Sequence, residues 1–553
     1  MAASGVTAVR ITASMPALDR APDALETSQG NASQGNESGS EEAGREAPVS
    51  VQEQIWAHAH ALGIDIWLDL PLAYRSTAQL RRMDETIRSA LRELANQANP
   101  YPAVRAIGLG TGLDTAEPET CDFLETWAGI LRAELPGRAV YYVTPFQPET
   151  DTCASAVDGV LLDVRGRGAA PAFVQRWQKQ TPRPVAIGAA GTWVDPSAEP
   201  GLSVPHSPQR QARELETFLT TWLPDVNDPL RPVRDELQDD GYVDLETADT
   251  RNAPMSVFVT RWKDAATPLG RAYGVYTSRG DPRPAADVLR GVYTETQRVF
   301  AFPSGEAPGP DAPRAVLFGW LIVGALAVIF ARRPLFRRAT VRYFSAHAFY
   351  CDSVREGRET MPVVNMLMLV LVSVATGVIA AVVAELLRPL MITEHVVMAI
   401  GPGIGAGLNE AIQRPVVAGV SVAAGVVVLL LFWALTIGMT VRQWVSLGAD
   451  QVVMLIVWPC WPALLWMGAA LVTASSGGAA TAAGVLTLLI GVTTITTTVR
   501  VLRDVYAVSR LPLGVTLLLA LASPATVLSV TALGLWARYD VSVTLVAHLF
   551  SGV

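Results

Sequence analysis

The sequence predicts an α/β domain, a (β/α)8-type barrel that lacks its first strand, followed by an all-α membrane domain of about six transmembrane helices. Three observations support this prediction. The chain has 553 residues, more than one average domain, and half of them are hydrophobic. Most charged residues lie in the first half, whereas the second half consists mainly of Leu, Val, Ala, Gly and Ile. Within the charged half, strand-like segments alternate with helical patterns.

The strand-like segments of the first half are short runs rich in Val, Ile and other apolar residues. They lie at 7–13, 64–71, 103–110, 139–146, 157–164, 184–191 and 256–262. Repeated strand–helix units with apolar strands predict a parallel sheet that is buried on both faces. These seven units are one short of a closed eightfold barrel. Residues 18–49 are rich in Ser, Gly, Asn and Glu, which predicts a disordered insertion.

Apolar segments fill the second half, each long enough to cross a hydrocarbon core of about 30 Å. They lie at 315–331, 362–384, 416–440, 451–474, 480–499 and 512–537. The glycine-rich segment 390–412 is interrupted by polar residues and is predicted to be a loop or an interfacial turn. The predicted organisation is a barrel at 1–300, a linker at 301–314, a transmembrane domain at 315–537 and a C-terminal tail at 538–553.

Arginines flank the predicted spans unevenly and indicate the orientation. They follow the first and third spans and separate the fifth from the sixth: Arg332, Arg333, Arg337, Arg338, Arg342, Arg442, Arg500, Arg503 and Arg510. The loops that carry them are predicted to be cytoplasmic. The barrel and Val553 then lie on the opposite side of a bacterial inner membrane, with membrane lipid as one partner. No ionisable residue lies in the middle of a predicted span, which disfavours ion-coupled transport.

Charge and cysteine content argue against several functions. A formal net charge of -8 without a concentrated basic run disfavours a nucleic-acid partner, because phosphate binding needs clustered Lys or Arg. The four cysteines show no metal-like spacing, and neither a metal nor a cofactor is predicted. Cys121 and Cys153 could pair if the barrel is exported, but unpaired buried cysteine is the favoured interpretation.

The beginning of the chain conflicts with an exported barrel. Its first residues, MAASGVTAVRITASMPALD, contain no apolar core of signal length. The absence of a first strand would also leave a parallel edge that barrels normally close. We therefore expect in-frame coding sequence before Met1 to supply a signal peptide and the first barrel strand.

A recognisable series of segments runs through the first half. It comprises GVTAVRITASMP, HALGIDIWLDLP, NPYPAVRAIGLGTG, RPVAIGAAGTW, SPQRQARELETFL and SVFVTRWKD, the last followed by GRAYGVYTSRGDPRPAADVLR. In order, these segments resemble the barrel of family-two retaining glycoside hydrolases, the β-galactosidase and β-glucuronidase type. The resemblance spans residues 4 to about 292 and is most specific at the last segment, which resembles the family's closing strand and final helix.

This resemblance implies that both catalytic glutamates of the family are missing. In that family the fourth strand ends in a Gly-Asn-Glu turn with the general acid and base. Here GLGTG places Thr111 at the asparagine and Gly112 at the glutamate. The nucleophilic glutamate of the seventh strand corresponds to Ala189. Retaining hydrolysis needs two carboxyl groups about 5 Å apart, so the resemblance implies a pseudoenzyme.

Other carboxylates occur at or just beyond strand ends, where a barrel directs side chains toward its mouth. These are Asp69, Asp114 and Asp163. For each, a structural role is favoured over catalysis. Asp69 is expected to cap the following turn and Asp114 to cap a loop or helix. Asp163 is expected to pair with Arg165 or Arg10.

Three further residues complete the candidate ligand-binding set: Arg10, Trp193 and Trp262. Arg10 aligns with a second-strand arginine that supports the catalytic carboxylate in the family the chain resembles. Without that carboxylate, two interpretations stay open: Arg10 binds a ligand anion, or it holds the barrel together. The two tryptophans occupy loops where aromatic faces stack on sugar rings, although tryptophan at a barrel rim more often belongs to the core.

The segments GADQVVMLIVWPCWPALLWMGAALV and LLIGVTTITTTVRVLRDVYAVSRLPLGVTLLL resemble the Yip-type membrane domain. This compact helical bundle occurs in eukaryotic trafficking proteins and many bacterial proteins. The resemblance covers roughly residues 340–537 and implies an anchor and a surface for membrane-protein partners. The leading hypothesis is an inactive glycosidase-like module for carbohydrate binding, sensing or envelope scaffolding. The alternatives are a hydrolase with displaced aspartates, or a membrane-organising or transport protein with a structural barrel.

Overall fold

The computed structural model describes most of the chain. The described residues are 1–15, 18, 50–167, 170–223, 256–264, 271–306, 314–358, 360–388, 390–400, 402–474, 479–539 and 545–546. The disordered insertion predicted at 18–49 lies outside the described residues except for Leu18. The chain divides into one unit formed by Met1–Pro308 with Asp540–Val553 and a second unit at Gly309–Tyr539.

The first unit is built on a parallel sheet of seven strands whose spatial order is their sequence order. The strands are β1 Ala8–Thr12, β2 Asp65–Asp69, β3 Val104–Thr111, β4 Ala139–Thr144, β5 Gly159–Asp163, β6 Val185–Ala190 and β7 Val257–Val259. Each one falls on a predicted strand segment, and each pairs in parallel with the next. The prediction of a near-barrel of parallel strands is confirmed.

Helices alternate with the strands of this unit, and the last one follows β7. They are α1 Val51–Ala61, α2 Thr77–Ala98, α3 Pro118–Glu134, α4 Ala170–Gln180, α5 Pro208–Trp222 and α6 Pro284–Tyr293. Serine side chains define where several of them begin. Ser50 and Ser76 form capping boxes with Glu53 and Gln79, which satisfy backbone N–H groups that a first helical turn leaves free.

The core of the near-barrel has two layers because successive side chains of a strand point to opposite faces. Inside the sheet, Trp67 packs against Tyr141 and Phe258. Outside it, the strands and helices enclose a larger core that includes the fully buried Trp56 and Trp127. Burial on both faces explains why the strands consist of continuous apolar runs.

Cys121 and Cys153 form a disulfide, so the expectation that they are unpaired is wrong. Cys121 lies in the first turn of α3, which follows β3, and Cys153 lies beyond β4. Adjacent parallel strands bring the connections at their carboxyl ends together, and the two Cα atoms are 4.8 Å apart although 32 positions separate them in sequence. Cys351 and Cys460 are free and buried.

The second unit is entirely helical in the residues described. Its helices are α7 Arg314–Arg332, α8 Pro334–Ser345, α9 His347–Arg355, α10 Pro362–Leu387, α11 Met391–Ile400, α12 Pro402–Gln413, α13 Pro415–Val441, α14 Ala449–Val457, α15 Pro462–Ala474, α16 Ala479–Ser509, α17 Leu513–Leu521 and α18 Pro524–Tyr539. A short 3-10 turn at Trp458–Cys460 separates α14 from α15. Proline stands at the first position of many of these helices, where it costs no hydrogen bond.

Four helical segments in the described residues are long and apolar enough to cross a membrane, and six are if each of two bent pairs counts as one span. The two bent pairs are α7 with α8, bent by 103°, and α17 with α18, bent by 53°. The count of about six predicted spans is therefore the upper value. All six predicted segments coincide with these helices.

Two sequence expectations for this unit are wrong. The segment 390–412, predicted to be a loop or interfacial turn, forms α11 and α12, which pack against each other. The loop expected after residue 499 is also helical, because α16 continues to Ser509 and contains Arg500 and Arg503. Polar residues end a membrane span but do not prevent a helix from continuing beyond it.

Helices α10 and α13 approach closely through small residues. A Cβ atom at Gly377 would lie 2.5 Å from the carbonyl oxygen of Gly419 and 2.8 Å from Cβ of Ala423. A Cβ atom at Gly419 would lie 2.7 Å from the Gly377 oxygen and 3.0 Å from Cβ of Ala381. Each helix thus presents a glycine and an alanine four residues apart, the spacing that permits tight packing of membrane helices.

Candidate functional site

The candidate site lies where parallel strands end. Asp69 closes β2, Thr111 closes β3 and Asp163 closes β5. Because the carboxyl ends of parallel strands share one edge of the sheet, these residues belong to the same rim. The residues around them decide which of these side chains is available to a ligand.

Asp69 is the centre of a buried polar network. Arg10 Nε donates to Asp69 Oδ2 at 2.6 Å, and the same guanidinium donates through Nη1 to the carbonyl oxygen of Gly188 on β6. The Tyr141 hydroxyl donates to Asp69 Oδ1 at 2.7 Å. Arg10 thus connects β1 with β2 and β6, which favours the interpretation that it holds the barrel together. The hydrogen-bond partners of the Asp69 side chain are thus on other strands, rather than in the turn that it was expected to cap.

Gly108 makes this network sterically feasible. Asp69, Gly108 and Tyr141 lie side by side in register on β2, β3 and β4. A Cβ atom at Gly108 would lie 2.3 Å from Asp69 Oδ1 and 2.8 Å from the Tyr141 ring. The missing side chain therefore leaves the path along which the Tyr141 hydroxyl reaches across β3 to the carboxylate.

Burial is the largest influence on the pKa values of Asp69 and Tyr141. It raises the pKa of Asp69 above its ordinary value, whereas the Arg10 guanidinium and the Tyr141 hydroxyl act in the opposite direction. Burial, followed by the Asp69 carboxylate, raises the pKa of Tyr141 well above its ordinary value. Tyr141 therefore keeps its proton at neutral pH and remains a hydrogen-bond donor.

Asp163 is paired with Arg165. Arg165 Nε lies 2.9 Å from Oδ1 of Asp163, and Nη2 lies 2.6 Å from Oδ2, which makes the contact bidentate. Both side chains are buried, with 2% of Asp163 and 9% of Arg165 exposed. The guanidinium also lies 5.4 Å from the centre of the Tyr273 ring. Of the two partners predicted for Asp163, the structure provides Arg165.

Tyr74 fills the space above Gly112. Gly112 has a φ of 62°, in the left-handed region. A Cβ atom there would lie 2.5 Å from Cε1 of the Tyr74 ring. Tyr74 is buried and is held in place because its backbone N–H donates to the Thr111 oxygen at 2.8 Å. The loop after β2 therefore covers the end of β3 at Gly112.

Ala189, the second position singled out in the sequence, lies on β6 opposite Asp163 in the register of β5 and β6. Ala189 is buried, and its carbonyl oxygen accepts a hydrogen bond from the Val164 N–H at 3.0 Å. The register shifts here, between Leu162 and Asp163 on β5 and between Ile187 and Ala190 on β6. The carboxylate next to this position is the one that Arg165 engages.

Asp114 lies in the turn that precedes α3. It is almost fully buried, its N–H donates to the Arg75 oxygen at 3.2 Å, and its own oxygen accepts from Glu117 N–H at 3.2 Å. These backbone contacts place Asp114 in the loop before α3, whose N-cap residue is Glu117. Thr111 is partly exposed at the rim.

The rings of the two tryptophans pack against other protein groups, whereas their positions in the sequence suggested open surfaces for stacking on sugars. Trp193 is 6% exposed, and its ring stacks on His206 with centroids 3.7 Å apart. The Arg271 guanidinium lies 5.0 Å from the same ring. Trp262 is half-buried and packs against Tyr276. A sugar ring would have to displace protein groups to stack on Trp193.

Sequence reasoning missed three residues of this rim, Tyr74, Tyr141 and Arg75. Alternation along β4 could have identified Tyr141 as inward-facing, since Tyr142 packs in the outer core. No sequence signal marked the other two. Arg75 follows Tyr74 in the loop, burial lowers the pKa of its guanidinium, and none of the acidic side chains described in the structure forms an ion pair with it.

No protein-family model and no curated protein matches this sequence. Solved structures similar to it include a GH2 beta-galacturonidase from Eisenbergiella tayi bound to galacturonate, with 13% identity and a TM-score of 0.35 over 44% of this chain and 43% of that one. A beta-glucuronidase from an uncultured Clostridium has 13% identity and a TM-score of 0.36, over 44% of this chain and 42% of that one. The beta-D-glucuronidase of Dictyoglomus thermophilum has 13% identity and a TM-score of 0.36, over 45% and 43%. The chain thus spans less than half the length of each of these proteins.

Proposed function

We propose that this chain is a membrane-anchored, glycosidase-like module that binds carbohydrate, as a sensor or envelope scaffold, without hydrolysing it. The observation that carries the proposal is the Tyr74 ring above Gly112. A glutamate at that position would need a left-handed backbone and the volume that the ring already occupies. This packing supports a rim without a glutamate at position 112.

The remaining chemistry of the rim supports the same proposal. Retaining hydrolysis needs one carboxyl group to protonate the leaving oxygen and a second, about 5 Å away, to attack the sugar. Ala189 offers no carboxyl group. Asp69 and Asp163 each have an arginine nitrogen at 2.6 Å, and an ion-paired carboxylate is a poor proton donor.

We propose a carbohydrate that carries a carboxylate as the ligand. Arg75 is the residue that supports this choice, because its half-buried guanidinium lies on the loop after β2 and pairs with no described acidic side chain. Guanidinium groups bind carboxylates through paired hydrogen bonds, and burial strengthens such contacts. A uronic sugar supplies a carboxylate together with hydroxyl groups.

A second candidate function is hydrolysis by displaced aspartates. Burial shifts the pKa of Asp69 upward, the direction that a general acid requires, and this favours the second candidate. The ion pair between Arg10 and Asp69 argues against this second candidate, because an ion-paired carboxylate is a poor proton donor. The two candidates differ in whether any glycosidic bond is cleaved.

Purified full-length protein is expected to release no aryl group above background from aryl β-glucuronides or β-galactosides, because both steps of the mechanism lack their carboxyl group. Release of the chromogenic group measures this. The matched variants are Asp163→Asn and Asp114→Asn. Turnover in the unmodified protein that either variant abolishes would establish the second candidate instead.

We further propose that the second unit anchors the barrel as a multi-pass bundle of the Yip type, in contact with lipid and membrane partners. The supporting observations are the apolar helices and the arginines that cluster between them. The Cys121–Cys153 disulfide adds an independent argument, since disulfides persist in oxidising compartments. It favours a barrel on the side away from the cytoplasm. The alternative to a carbohydrate-binding protein is a membrane-organising or transport protein that works mainly through its membrane bundle.

Cysteine labelling tests this orientation. Ala133 is exposed on α3, Ser345 is exposed at the end of α8, and the native cysteines are either bonded or buried. An impermeant thiol reagent is expected to label Ala133→Cys in intact cells, and Ser345→Cys only after the membrane is opened. The reverse pattern would place the barrel in the cytoplasm.

A further inference from the structure

Three side chains with metal-binding groups meet in the helical unit, outside the site already described. His347 and Cys351 belong to α9, and Asp504 belongs to α16. His347 Nε2 lies 2.7 Å from Asp504 Oδ1 and 3.9 Å from Cys351 Sγ. One ligand atom from each residue lies within 4.8 Å of the other two.

The helical framework explains this convergence. Residues four apart lie on the same face of a helix, one turn from each other, so α9 presents the imidazole and the thiol together. Helix α16 packs against α9 and brings the carboxylate to the same point. The sequence analysis predicted no metal, and the carboxylate of this group comes from Asp504, more than 150 positions after His347.

The Asp504 carboxylate carries a second, independent observation. Its side chain is 1% exposed. His347 engages Oδ1, but Oδ2 is buried and receives no hydrogen bond from any residue that the structure describes. A buried carboxylate oxygen without a donor is costly, so this geometry fits an additional positive ligand. The hydroxyl groups of Tyr343 and Tyr350, whose rings contact His347, are likewise buried without a partner among the described residues.

We propose that His347, Cys351 and Asp504 form a binding site for a divalent transition metal of the zinc type. Imidazole nitrogen and thiolate sulfur select zinc, cobalt or copper over magnesium and calcium, which prefer oxygen ligands. Zinc binds such atoms at about 2.0 to 2.3 Å, so two of its ligand atoms lie roughly 3 to 4 Å apart. The 3.9 Å distance from His347 Nε2 to Cys351 Sγ lies within this range, and the 2.7 Å distance from His347 Nε2 to Asp504 Oδ1 lies just below it.

The charges around the site are compatible with a metal once the thiolate forms. Arg500 and Arg503 precede Asp504 on α16, and Asp352 follows Cys351 on α9. The positive charges of the two arginines repel a metal cation. A thiolate and a carboxylate together neutralise the charge of a divalent ion and so reduce this repulsion. Three protein ligands leave a fourth position for water or another ligand, as in zinc sites that are not purely structural. The bound ion would connect α9 to α16.

Cobalt titration of the full-length protein in detergent, stripped with a chelator under reducing conditions, tests the proposal. Cobalt bound to a thiolate has a charge-transfer absorption that cobalt bound to nitrogen and oxygen alone lacks. We expect saturation at about one cobalt per chain, displacement by zinc, and loss of the absorption in Cys351→Ser. His347→Gln and Asp504→Asn should weaken binding by at least about 100-fold, since even outer partners of a ligand contribute about 10 to 100-fold.

Cys460→Ser is the matched control, because Cys460 is the other free, buried cysteine of the chain and is not one of the proposed ligands. It should leave the absorption and the cobalt affinity unchanged. Failure of the unmodified protein to show the thiolate absorption or to retain zinc would overturn the proposal and leave a simple His347–Asp504 contact. Equal loss of the absorption in Cys460→Ser would show that the wrong thiolate was assigned.

Discussion

Replacing Asp69 with alanine is expected to lower the free energy of unfolding of the barrel by about 3 to 5 kcal/mol, enough to unfold many domains. The substitution leaves the Arg10 guanidinium without its carboxylate and the Tyr141 hydroxyl without its acceptor. Both partners are largely or fully buried, so water does not replace the lost contacts. Urea unfolding of the full-length protein, followed by tryptophan fluorescence, measures the effect.

Asp65→Ala is the matched control, because Asp65 lies on the same strand and pairs with Arg105 at 3.0 Å. That pair is mostly exposed, with 61% of the Arg105 side chain and 47% of the Asp65 side chain accessible. Exposed pairs contribute about 0 to 1 kcal/mol. Equal effects of the two substitutions would contradict the central role of the Asp69 network.

Removing the disulfide with Cys121→Ser and Cys153→Ser is expected to cost roughly 3 to 4 kcal/mol, from the entropy that a loop of this size gains in the unfolded chain. The two cysteines are 32 positions apart and join the start of α3 to the segment after β4. The same urea titration, with and without a reductant, measures the loss.

The reductant provides the internal control for this prediction. It should destabilise the unmodified protein by the same amount and leave the doubly substituted protein unchanged. An unmodified protein that is insensitive to reductant after denaturation would mean that the bond does not form, and the argument for an exported barrel would lose its independent support.

The strands and their order were predictable because the signals are local. Each strand is a short apolar run between polar helical segments, and alternation of strands with helices already implies parallel pairing. The prediction for segment 390–412 was wrong because the deciding interactions are not local. Its glycines and polar residues favour a loop by composition, but mutual packing of α11 and α12 outweighs those propensities.

The site was predictable only where its partners are neighbours in sequence. The Asp163–Arg165 pair spans two positions and was expected, whereas Arg10 and Asp69 are separated by 59. The resemblance to glycosidases identified Gly112 but not the ring that covers it. Tyr74 reaches that position because its backbone has a φ of 53°, and no composition rule assigns that conformation to a tyrosine.

Calorimetric titration of the full-length protein with carboxylate-bearing and neutral glycans tests the central claim most directly. The account predicts saturable binding to a carboxylate-bearing glycan that is recovered intact. It also predicts that Arg75→Ala weakens binding at least about tenfold, while the exposed Arg105→Ala leaves it unchanged. Cleavage of the glycan, or the absence of saturable binding to every glycan tested, would contradict a carbohydrate-binding barrel without hydrolase activity.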